Sequence, residues 1–179
     1  IRDDLARNHI RRIIIIGHGT AAVAGQAIGD AMNRYIKDPG MMIESNVASE
    51  LSGFSLTHDL SDTLVIPITQ SGTTTDTNRA VAMARDRGAS VIAIVNRRQS
   101  DITTKADGVF YTSDGRDIEM SVASTKAFYS QIVAGHILAL SFSQIIGCLT
   151  DTEIAAELAV LEQAPQLMNR VLEQKDVIR

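Results

Sequence analysis

The hydrophobic positions of this chain fall into short solid runs, separated by longer stretches where small and apolar residues recur at helical spacing. Arg11 and Arg12 precede Ile13, Ile14, Ile15 and Ile16, four β-branched residues in a row. Such a run suits a strand buried on both faces, as in a parallel sheet. Residues 21–35 then read as a helix, Pro39 and Gly40 break the pattern, and Met41, Met42 and Ile43 form a short second strand. A short helix is expected over 46–54, capped by Ser45 or Asn46. Residues 63–68 form a strand in which Pro67 limits the end of the ladder. A helix over 76–87 ends at Gly88, and strands follow at 90–95 and 109–111. Helical character then runs through 121–149 and through 151–174, the latter starting at Asp151 or Thr152 and broken or kinked at Pro165.

Strands that alternate with helices point to βαβ units and a parallel sheet. The length, 179 residues, suits one domain with a real core. No boundary shows before about residue 150. Hydrophobic residues make up 45% and charged residues 21%, which argues against disorder. A net charge of -4 and 4% aromatics lack the basic surface that nucleic-acid binding needs. The single cysteine, Cys148, rules out an internal disulfide and favours a reducing, cytoplasmic setting. No uninterrupted apolar run approaches the ~18 residues of a membrane span, and no signal peptide is visible. The first residue is Ile1 rather than Met, which suggests a piece of a longer protein.

Two loops leave strand ends with unusual chemistry. One is Gly17-His18-Gly19-Thr20; the other is Thr69-Gln70-Ser71-Gly72-Thr73-Thr74-Thr75. In open α/β sheets, ligands bind beyond the carboxyl ends of the strands. The second loop surrounds one glycine with hydroxyl and amide side chains, and a helix starts directly after it. The free N–H groups and dipole of that helix favour an anion. The Gly-Lys-Ser/Thr ending of a nucleotide P-loop is absent. Simple helix capping by Ser71 or a threonine is the competing reading. A third cluster, Ser121-Val122-Ala123-Ser124-Thr125-Lys126, also precedes a helix, and capping and binding stay open for it.

Four segments resemble the sugar isomerase (SIS) domain family, and within it the first of the two SIS halves in the isomerase part of glucosamine-6-phosphate synthases. Gly17-His18-Gly19-Thr20 resembles the family's G-C-G-T-S turn, and Val47-Ala48-Ser49-Glu50-Leu51 is similar to its I-A-S-E-F. Thr69 to Thr77 is similar to S-Q-S-G-E-T-x-D-T, and Val122 to Phe128 reproduces V-A-S-T-K-A-F. The resemblance implies a flavodoxin-like three-layer α/β/α fold with a five-stranded parallel sheet. It implies that Thr69, Gln70, Ser71, Gly72 and Thr74 bind the phosphate of fructose-6-phosphate or a close relative, and that Gly19, Thr20, Val122 and Ser124 meet the sugar. It also implies an SIS domain over 1–150, with 151–179 leading toward a second SIS half. A homodimer, and a glutaminase domain elsewhere in the full protein, complete the expectation.

The departures carry weight. His18 stands where the family has cysteine, Ala21 where the synthases have a phosphate-holding serine, and Thr73 where they have an acidic residue. A lost hydrogen bond to a charged group costs about 1.5–3 kcal/mol if nothing compensates. No catalytic residue, cofactor or metal ligand set is assigned within the chain. Glu44 and Glu50 suit a dipole or salt-bridge role better than a paired acid and base. Lys126 is expected to pair with Glu119. His58 and His136 lack partners at metal-ligand spacing. Three functions compete: half of an aminotransferase-type enzyme, a sugar-phosphate sensing module, and a stand-alone homodimeric isomerase. The motifs alone do not say whether the chain is itself an enzyme.

Overall fold

The computed structural model describes residues 1–114, 119 and 123–177. A first helical turn, α1 (Arg2–Ala6), leads into β1 (Arg12–Gly17) and the helix α2 (Thr20–Tyr35). Then come β2 (Met42–Val47), the short helix α3 (Ala48–Glu50), a wide π turn (Leu51–Ser55) and β3 (Thr63–Thr69). The rest is α4 (Thr75–Arg85), β4 (Ser90–Val95), α5 (Asp101–Lys105), β5 (Gly108–Tyr111), α6 (Lys126–Ile146), α7 (Asp151–Leu161) and α8 (Ala164–Leu172).

The five strands form one sheet in the order β2-β1-β3-β4-β5, and every pairing is parallel. This is the doubly wound flavodoxin-like order, in which the chain winds one way from β1 to β2 and the other way from β3 onward. The isoleucine run explains the two-sided burial. Ile13 and Ile15 join the core that α2 and α6 cover, together with Ile28, Met32 and Leu138. Ile14 and Ile16 join the opposite core, with Val65, Val81 and Val91. All four are fully buried, so the strand has no polar face to show.

Most expected elements stand, with instructive shifts. Asn46 is strand rather than helix, because Ser45 and Asn46 pair with Ile15 and Ile16 of β1. The helix after it starts at Ala48, with no side-chain cap. β3 runs past Pro67 to Thr69 and is buried throughout. Its pairing with β4 holds at Leu64–Val65 and resumes at Ile68–Thr69, so proline interrupts the ladder instead of ending it. α6 starts only at Lys126 and ends at Gly147 with φ +83°. Pro165 does fall at a break, in the first turn of α8.

Length and composition make α6 the one helix among the described residues that could cross a membrane. It packs on α2, however, and the buried Ser143 hydroxyl donates to Tyr35 O at 2.9 Å. α7 is tied to α2 by Glu157, which accepts from the Tyr35 hydroxyl (2.8 Å) and from Arg34 (3.1 Å).

Candidate functional site

Parallel strands put all their carboxyl ends on one edge, and the reversal of winding falls between β1 and β3. The loops leaving these two strands diverge to opposite faces and open a crevice between them. A cavity of 180 Å³ lies there, lined by His18, Thr20 and Ala21 from the β1–α2 turn, by Ile68, Thr69, Gln70, Ser71 and Thr74 from the β3–α4 loop, and by Glu119 and Ser124.

The β1–α2 turn is tight because a Cβ on Gly17 would sit 2.6 Å from the carbonyl carbon of Ala21. α2 starts behind Gly19 with no side-chain cap and no acidic residue in its first turn. No side chain takes up its N-terminal amides, although the Ala22 amide donates to the Gly19 carbonyl at 3.1 Å.

The β3–α4 loop is built from below. Gly72 has φ +68°, and a Cβ there would overlap Ser100. The Gly72 amide donates to Thr69 Oγ1 at 3.1 Å, and the Gly72 carbonyl accepts from Asn78 Nδ2 (3.0 Å) and from the Ile102 amide (3.1 Å). The Gln70 carbonyl accepts from the Arg97 amide at 3.1 Å. Asn78 Oδ1 in turn accepts from Lys105 Nζ at 3.0 Å. The small helix α5 and the segment before it thus support the loop from behind.

Thr74 is the N-cap of α4, yet its side chain makes no capping bond. The capping explanation for this hydroxyl fails, and Thr74 lines the cavity where α4 begins. Ser71 Oγ accepts from the Thr73 amide (3.3 Å) and the Thr73 hydroxyl (3.1 Å), which leaves its own proton available.

The third wall differs. Thr125 is the N-cap of α6, again without a side-chain cap. Here Glu119 takes the role: its carboxylate accepts from the Thr125 amide at 3.2 Å, the Thr125 hydroxyl at 3.0 Å and the Ala127 amide at 3.1 Å. Burial pushes the Glu119 carboxyl up, but these bonds and the charge of Lys126 outweigh it and hold it below the usual glutamate value. Thr20 Oγ1 accepts from the Ser124 amide at 3.1 Å and so ties the first wall to the third.

The sequence-expected residues Thr20, Thr69, Gln70, Ser71, Thr74 and Ser124 thus meet at one cavity. Gly19 and Gly72 shape the turns, and Val122 lies outside the described residues. Sequence reasoning gave Glu119 no place in the site, because its capping contact reaches six to eight residues along the chain. Glu44 is engaged elsewhere, accepting from Arg12 at 2.5 Å, and Glu50 is exposed. No cluster of metal-ligating side chains occurs among the described residues.

The comparisons agree with this architecture. The SIS domain model matches residues 8–141. Glutamine–fructose-6-phosphate aminotransferase [isomerizing] of Corynebacterium glutamicum is 35% identical over 99% of this chain, and that of Corynebacterium diphtheriae 38% identical over 96%. The chain spans about a quarter of their length, 27% and 26%. Among solved structures, the C-terminal domain of glucosamine-fructose-6-phosphate aminotransferase from Francisella tularensis superposes with a TM-score of 0.87 at 28% identity, covering 98% of this chain and 48% of that one. Glucosamine-6-phosphate deaminase from Thermotoga maritima shares the fold alone, with a TM-score of 0.70 at 15% identity over 98% of this chain and 55% of its own. With its parallel sheet, its crevice at the winding reversal and a family match over most of its length, this chain belongs to the SIS domain family.

Proposed function

We propose that the cavity binds the phosphate end of a sugar phosphate of the fructose-6-phosphate class. One observation carries this reading: a hydroxyl-rich loop opens α4 without capping it. The helix dipole then meets a cavity that the hydroxyl residues Ser71 and Thr74 line at the winding reversal. The phosphate sits at the α4 N-terminus on Gln70, Ser71 and Thr74, with Thr69 holding the loop beneath it. The sugar chain extends toward Thr20 and Ser124.

In this reading the chain is the first SIS half of the isomerase part of a glutamine–fructose-6-phosphate aminotransferase-like enzyme. The names of its relatives and the share of them it spans support its place in such an enzyme, and the segments at 122–128 and 161–167 suggest the first half. Residues 1–150 hold the substrate, and 151–179 lead toward a second half that supplies the acid–base chemistry of ring opening and isomerisation. The full protein is cytoplasmic and dimeric.

The test is calorimetry with fructose-6-phosphate on the chain and on the S71A/T74A double variant. The variant should fold normally and bind far more weakly. Unchanged affinity would remove the assigned site.

A further inference from the structure

The cavity lining is short of positive charge. Among the described residues that line it, no lysine or arginine appears, and the titratable side chains are His18 and Glu119. A phosphate monoester carries up to two negative charges, and Glu119, held in its ionised form, adds a third. Against these stand the open N-termini of α2 and α4, each worth about half a positive charge. The corresponding end of α6 is already taken by Glu119 itself.

His18 is placed to change this balance. It follows the close-packed Gly17 and precedes Gly19, whose φ is +59°, at the carboxyl end of β1. Its side chain is exposed and lines the cavity. Behind the β3–α4 loop, the Arg97 amide meets Gln70 and Lys105 reaches Asn78, but neither residue lines the cavity. Glu50 after β2 and Asp76 in the first turn of α4 are exposed and do not line the cavity, and Lys126 opens α6 beside Glu119.

We propose that His18 is a ligand-binding, specificity-determining residue of this cavity, whose imidazole donates a hydrogen bond to the bound phosphate. The assignment rests on the sugar-phosphate reading of the cavity and adds to it a preference for the anionic ester.

The test combines calorimetry with amide NMR on the chain and its H18A and H18Q variants, using fructose-6-phosphate. The amides of residues 70–77 report whether the ligand enters, and the rest of the spectrum reports folding. H18A should weaken binding by roughly tenfold to a hundredfold, the range for a hydrogen bond to a charged group. H18Q, with a neutral donor, should fall between.

If the loop amides shift normally and H18A binds as tightly as wild type, the His18 assignment is overturned while the cavity reading stands. If the H18A penalty vanishes in an E119Q background, His18 acts on Glu119 rather than on phosphate, which also overturns it. If no sugar phosphate moves the loop amides, the cavity reading falls first, and this assignment with it.

Discussion

Two hydroxyl-rich segments of this molecule look alike in sequence and differ in what they do with a helix N-terminus. The β3–α4 loop offers Ser71, Thr73, Thr74 and Thr75 and leaves the start of α4 uncapped. The entry to α6 offers Ser124 and Thr125, but a distant carboxylate, Glu119, fills the helix end. α7 is a third case, closed locally by a capping box between Thr150 and Glu153. A helix start binds a foreign anion only where the chain has not supplied its own acceptor. Hydroxyl content alone does not separate these cases; the hydrogen-bond census does.

The largest expected effect comes from emptying the open site. Replacing Ser71 and Thr74 together by alanine removes two hydrogen bonds to a charged group, at about 1.5–3 kcal/mol each. Calorimetry should show sugar-phosphate affinity falling by a hundredfold or more with the melting temperature little changed. Next comes the loop's support. Gly72→Ala puts a Cβ onto Ser100 at a positive φ and should destabilise the fold by about 1–3 kcal/mol in denaturant unfolding, with binding lost as well.

Thr150→Ala breaks the capping box of α7 and should cost about 1 kcal/mol. Affinity for the sugar phosphate should not change, because that helix start is not part of the cavity. The smallest effect concerns Glu119, whose pKa is depressed in the folded chain. Its stabilisation is present above the unfolded glutamate value and is lost as pH falls through the lower folded value. Urea unfolding across the acid range should therefore show a slope in wild type that Glu119→Gln reduces. An unreduced slope would deny Glu119 its capping role.

The strands that build the site were legible because they are compositionally blunt. Ile13 to Ile16 and the apolar run before Thr69 admit no amphipathic reading, and the glycines and hydroxyls after them mark where the chain turns. The doubly wound order of the sheet, and with it the crevice, was an expectation of the family resemblance. What stayed hidden depends on partners far away in sequence. Ser45 and Asn46 are good cap residues by local preference, yet the β1 ladder holds them in a strand. α1 and α5 are single short turns without a periodic signature, although α5 supports the candidate loop through Ile102 and Lys105. Glu119 caps a helix from outside any local motif. Likewise, no sequence pattern could tell that the Thr74 side chain stays clear of its own helix.

The most direct test of the central claim is an amide NMR titration of the chain with fructose-6-phosphate. Saturable shifts are expected at residues 70–77, larger than any at the α6 start, where Glu119 already occupies the Thr125 and Ala127 amides. Shifts confined to the α6 start, or none at the β3–α4 loop at saturating ligand, would contradict that claim.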